Sequence, residues 1–180
     1  MDGTIFLDQA TREFRRCRKL AETAIAQIPP GKLAAEPAPG SNSAAVLMKH
    51  LAGNLRSRWT DFLTTDGEKP DRDRDREFEL AGADDPAALR AAWDRGWETL
   101  FATLAGLTPG HLESVTVRIR GEEMTVVEAI LRQLTHYAQH AGQIVYVSKL
   151  LAGDAWTTLS IPRGGSKAFN DAPRPYRPHN

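Results

Sequence analysis

His136 and His140 stand four residues apart in a stretch of helical periodicity, so their imidazoles project from one face about one turn apart. On spacing alone the pair reads either as metal ligands or as two histidines hydrogen-bonded in a core or exposed on a surface. His50 strengthens the metal reading, because it falls in the inward stripe of a different long helix. Helical proteins build metal sites from side chains on facing helices, and an i, i+4 pair plus one ligand from across makes a set of three. Three neutral nitrogens suit a divalent Zn, Ni or Fe ion and leave positions open for water or substrate, the mark of an open rather than a closed structural site. Tyr137 follows His136 where H-E-x-x-H needs a glutamate base, which disfavours a metalloprotease. Cys17 is the single cysteine, so neither an intramolecular disulfide nor a site of several thiolates can form.

Four more polar residues are candidates around this set. Asn54, one turn beyond His50, either orients a ligand or makes an interhelical hydrogen bond. Gln133 and Gln143 flank the histidine pair at three residues before and after, as supporting groups. Arg58 continues the His50 stripe and reads as an ion pair at the end of the helices, with an anionic substrate as the alternative. His111, in a Pro-Gly-His turn, and His179, near the C-terminus, are assigned to solvent. Gly164, Gly165, Ser166 and Lys167 lack the order of a phosphate-binding loop, and Trp93 and Trp97 read as core or interface.

Four amphipathic helices must carry these groups. The first is expected over about residues 4–28, with Leu7, Ala10, Phe14, Cys17, Ala21, Ala24 and Ile28 as its apolar stripe, closed by Pro29 and Pro30. On that stripe Cys17 reads as a small core residue rather than a reactive thiol. The second, over about 43–63, starts in the Ser41, Asn42, Ser43 cluster and turns Leu47, His50, Leu51, Asn54, Leu55, Arg58 and Phe62 inward. The third, over about 86–104, opens with Asp85 and Pro86 and buries Leu89, Trp93, Trp97, Leu100 and Leu104. Val115, Val117 and Ile119 alternate with polar residues as in a strand, and a turn at Gly121 and Glu122 returns through Met124 as a small hairpin. The fourth, over about 125–151, opens with the capping-box spacing of Thr125 and Glu128 and is apolar on much of its circumference. Asp66 to Glu79, where Asp and Arg alternate, is read as a solvated loop, and the connection from about Thr64 to Asp85 is long enough to let its flanking helices run parallel. The tail, 152–180, is read as laid over the helices through Trp156, Leu159, Ile161 and Phe169, and frayed from Ala172.

The chain of 180 residues carries 23 Lys and Arg against 23 Asp and Glu, so no global field exists to hold nucleic acid or an anionic bilayer. Composition, 41% hydrophobic and 26% charged, is that of a soluble globular protein, and one domain over 1–180 is expected. No apolar run reaches the length of a membrane span, and the start, with Asp2 and Asp8, has no secretory signal pattern, so the expected compartment is the cytoplasm. The expected partner is a small molecule, not a nucleic acid or a membrane.

The order of parts resembles a known family. A long helix, then Lys49-His50-Leu51-Ala52-Gly53-Asn54-Leu55, a charged crossover, a small hairpin, and His136-Tyr137-Ala138-Gln139-His140-Ala141-Gly142-Gln143 together resemble the DinB/YfiT-like superfamily of damage-inducible bacterial proteins. The tail from Trp156 to Gly164 is similar to that of one branch, and the resemblance covers nearly the whole chain. It implies an all-α, four-helix bundle of up-down-down-up topology, usually a homodimer, with a divalent metal on His50, His136 and His140. It further implies a thiol-dependent S-transferase using a low-molecular-weight thiol such as bacillithiol or mycothiol. Within the same site a metal-dependent hydrolase is the alternative, as is a non-catalytic dimeric stress or binding protein.

Overall fold

A computed structural model describes residues 2–82 and 84–172. It is mostly helical, with one antiparallel hairpin. The long helices are α1 (Gly3–Ile25), α2 (Ala44–Trp59), α3 (Pro86–Gly106) and, after a short α4 (Pro109–Ser114) and the strands β1 (Thr116–Ile119) and β2 (Glu122–Thr125), α5 (Val126–Ala152). A last short helix, α6, spans Ser166–Asp171. His179 and the end of the tail fall outside the described residues. Among those described, no helix is long and apolar enough to cross a membrane.

Each long helix starts where a side chain can accept its orphan amides. Asp2, Ser43 and Asp85 accept at the starts of α1, α2 and α3, and Thr125 with Glu128 closes a reciprocal capping box on α5. The ends differ from the sequence reading. Helix α1 stops at Ile25 rather than 28, because the residue before Pro29 is driven out of the helical region; Ile28 is half-buried in a turn. Helix α2 stops at Trp59, and Asp61 takes a positive φ of 49°, yet the following turn still buries Phe62. Helix α4 has no counterpart in the sequence reading, which took the Pro-Gly-His stretch as a turn; Pro109 instead stands in the first turn of a helix. His111, assigned to solvent, is half-buried, and its Nδ1 accepts the Thr108 N–H at 3.1 Å.

Contacts fix how the helices lie. Gly96 of α3 sits against Leu55 of α2, where an added Cβ would come within 2.9 Å of the Leu55 Cβ, and the Thr103 hydroxyl donates to the Trp59 carbonyl. These contacts advance along both helices together, so α2 and α3 run parallel. Phe14 meets Tyr137, and Gln27, past the end of α1, exchanges hydrogen bonds with Thr157, past the end of α5, so α1 and α5 also run parallel. Arg18 with Asp94 and Glu22 with Arg90 set α3 against the direction of α1. One continuous core joins Leu7, Phe14, Leu51, Leu55, Trp59, Trp93, Trp97, Leu100, Ile130 and Tyr137. Cys17 is half-buried against it, and burial raises its thiol pKa, so it behaves as a small packing residue.

The hairpin turns through Arg120 and Gly121, both at positive φ (59° and 77°), the backbone of a primed two-residue turn. It is held by its apolar face, Val117 and Ile119, and by Asp66, whose carboxylate accepts the Arg120 and Gly121 amides. Trp156 and Leu159 pack on the core as expected of the tail, whereas Ile161 is exposed. Helix α5 is less enclosed than its composition suggests, for Leu131, Tyr146 and Leu150 face solvent.

Candidate metal centre

Helix α2 carries His50 toward α5, which presents His136 and His140 from consecutive turns. The His136 Nε2 lies 3.4 Å from the His50 Nε2 and 3.1 Å from the His140 Nε2. All three ligand atoms fall within 4.8 Å of one another, so the set can hold a metal ion. Nitrogens bound to a cation about 2.0–2.1 Å away stand about 2.8–3.0 Å apart at octahedral angles and about 3.3–3.4 Å apart at tetrahedral ones, and the two measured separations, 3.1 and 3.4 Å, fall within that span. No other group of three metal-binding side chains occurs among the described residues.

The second nitrogen of each ring is turned away from this centre. His50 Nδ1 meets the Glu77 carboxylate at 2.8 Å, and His140 Nδ1 meets the Gln143 Oε1 at 2.7 Å. The His136 Nδ1 is buried with no hydrogen-bond partner among the described residues. With protons on Nδ1 of His50 and His140, their Nε2 lone pairs face the centre, the arrangement in which a cation removes lone-pair repulsion. Burial, then the neighbouring His140 and His50, lower the His136 pKa to about 3, so this ring is neutral near pH 7 and available as a ligand. Burial also lowers His140, against an opposing effect of Gln143. His50 is buried while His136 and His140 are half-buried, so the centre is closed on the α2 side and reachable along α5.

The remaining candidates divide. Gln143 reaches His140, as its spacing suggested. The Asn54 Oδ1 accepts the Tyr137 hydroxyl at 3.0 Å, and the Tyr137 hydroxyl oxygen in turn accepts the Trp59 Nε1–H at 3.0 Å. The interhelical hydrogen bond is thus formed, through the Asn54 oxygen. Gln133 is buried, and its Oε1 has no partner among the described residues. Arg58 pairs with Glu68 at 2.9 Å and donates to the Gly67 carbonyl, the ion pair expected of it rather than an anion site.

The sequence reading missed the charged connection. Far from being wholly solvated, it turns through a short 3-10 segment at Asp75–Phe78 that lies against α2 and delivers Glu77 to His50. Phe78 lies against the His50 ring, centroids 4.6 Å apart with the planes tilted by 30°. Arg72 donates to both Glu77 oxygens at 2.7 and 2.8 Å, and the side chains of the pair are only 4% and 8% exposed. The one available signal was Gly53, a glycine inside a helix on the His50 face. A Cβ there would lie 2.3 Å from the Glu77 Oε1, so the glycine admits the carboxylate.

No curated protein and no solved structure matches this chain. A family model covers residues 2–165, which include the three histidines, their hydrogen-bonding partners and the charged connection, and the chain therefore belongs to the family described as protein of unknown function DUF1572.

Proposed function

We propose that this chain is a divalent-metal-binding protein of the DinB/YfiT-like type. In this reading α1, α2, α3 and α5 form an up-down-down-up four-helix bundle, a reading supported by the parallel contacts of α2 with α3 and of α1 with α5. His50, His136 and His140 hold one cation, with Zn, Ni and Fe as the ions suited to three imidazoles. The observation that carries the reading is the convergence of three Nε2 atoms, 3.1 and 3.4 Å apart, with each Nδ1 turned outward.

Three protein ligands leave coordination positions open, which separates a reactive centre from a purely structural one. A bound cation of this class supplies Lewis acidity that favours a thiolate or hydroxide at neutral pH. The chain's own residues orient the rings, shield the centre on the α2 side and leave the α5 side open to a small molecule. The reaction we assign is thiol-dependent S-transfer, the thiol entering by that open side. Exposed Leu131, Tyr146 and Leu150 on α5 supply apolar surface for the homodimer that belongs to this reading.

Metal stoichiometry by plasma mass spectrometry, on untagged protein prepared without chelator, tests the site. About one transition metal per chain, lost in both His50→Ala and His136→Ala, is expected. No metal even after incubation with Zn²⁺ or Ni²⁺ would overturn it. Calorimetric titration of the loaded protein with bacillithiol, mycothiol and glutathione tests the chemistry, and binding of none of them removes the thiol claim.

A further inference from the structure

The short segment that follows the alternating Asp and Arg residues places two consecutive side chains on one imidazole. Glu77 takes the edge of His50 at Nδ1, and Phe78 takes its face. Behind Glu77, Arg72 closes a bidentate pair, and Arg72 also reaches Glu68, which in turn pairs with Arg58 of α2. Gly53, one turn from His50, leaves room for the carboxylate at that helix face, since a Cβ there would lie within 2.3 Å of the Glu77 Oε1. Among the described residues nothing comparable holds His136, whose Nδ1 has no hydrogen-bond partner there, and the His140 Nδ1 meets a neutral amide of its own helix.

We propose that Glu77 is a positioning residue for the metal centre: it fixes the edge and tautomer that His50 presents and thereby sets the affinity of the three-histidine site for its cation. The proposal rests on the metal reading above. An ionised carboxylate only accepts hydrogen bonds, so a neutral His50 beside Glu77 carries its proton on Nδ1 and turns its Nε2 lone pair to the centre. A carboxylate at this position also makes the imidazole a stronger donor, and removing such an outer partner typically costs about 10- to 100-fold in metal affinity. The charged crossover is thus a strap that finishes the site from outside the helices.

Zn²⁺ affinity, measured by competition with a chromophoric chelator, tests this on wild type, Glu77→Gln, Gly53→Ala, His140→Ala and the surface control Glu123→Gln, with the Co²⁺ visible spectrum recorded for each. Glu77→Gln is expected to weaken Zn²⁺ binding at least about tenfold and to shift the Co²⁺ bands, while Glu123→Gln changes neither. Gly53→Ala is expected to weaken binding likewise, although alanine favours the helix, because its Cβ displaces the carboxylate from His50. That variant decides the matter if Glu77→Gln does not fold, since a merely structural Glu77 would leave the affinity of folded Gly53→Ala unchanged. Wild-type affinity and Co²⁺ bands in whichever of these two variants fold, with binding lost in His140→Ala, overturn the role of Glu77 while leaving the metal site. A wild type that binds no Zn²⁺, or a His140→Ala variant that binds as well as wild type, overturns both.

Discussion

Two buried regions meet at the histidines and are held by opposite physics. On the inner side lies an aromatic layer of Phe14, Trp59, Trp97 and Tyr137, with ring centroids 5.6 to 5.8 Å apart where Phe14 meets Trp59 and Tyr137 and where Trp97 meets Tyr137. Its polar atoms are few: Trp59, Tyr137 and Asn54 are linked in a short hydrogen-bonded chain, and the Trp97 Nε1 is buried without a partner among the described residues. On the outer side lies the strap, where Arg58, Glu68, Arg72 and Glu77 are linked through ion pairs. The first region gains from area removed from water and depends on volume; the second has already lost the hydration of its charges and depends on every partner being present. The site therefore has a floor that tolerates change of shape poorly and a cover that tolerates change of charge poorly.

Trp59→Ala should be the most costly change, about 3–5 kcal/mol in urea unfolding, because it opens a cavity and strips the Tyr137 hydroxyl of a donor. A loss below about 1 kcal/mol would mean that the layer is not the packed floor described. Arg72→Ala should cost about 3 kcal/mol by leaving Glu77 buried without its cation. A change as small as that of a surface pair would place the strap in solvent after all.

The titration of the centre sharpens the contrast. His136 has a folded pKa of about 3, below the value near 6.5 it takes when unfolded, so between these values the unfolded chain binds more protons. Stability from this group is therefore complete above about pH 6.5 and is lost as pH falls toward 3. Glu77 and Glu68, whose pKa values end up lowered because arginine pairing outweighs the burial that would raise them, act in the same direction at lower pH. In the metal-free protein, unfolding midpoints from pH 7 to pH 4 should fall less steeply in His136→Asn than in wild type, and equal slopes would remove the buried-ring argument. The smallest effect belongs to Glu123→Gln, which breaks an exposed pair with Arg118 and should change stability by less than about 0.5 kcal/mol.

The same contrast governs what could be read from the sequence. Helix stripes are a repeating signal, so Leu47, Leu51, Leu55, Leu89, Trp93 and Trp97 were placed inside from periodicity, and His50 stood out because a polar residue occupied a position that periodicity assigns to the core. His136 and His140 were legible for the same reason, as neighbours on one helical face. Burial of Glu77 and Arg72 has no such period. It arises because Glu77 meets His50, a residue 27 positions earlier, and alternating charges look solvated until that partner is known. Only Gly53 hinted at it, and a lone glycine inside a helix identifies a close approach without naming what approaches. Helix ends were displaced by local chemistry that periodicity does not carry, as at Pro29 and Asp61, and α4 was concealed because its proline starts a helix instead of breaking one.

The central claim, that three histidines from two helices form one cation site, is tested most directly by anomalous diffraction at the zinc edge from crystals of the protein loaded with one equivalent of Zn²⁺. A single peak is expected about 2.0–2.1 Å from the Nε2 atoms of His50, His136 and His140. A peak that omits His50, or none between α2 and α5, would contradict it.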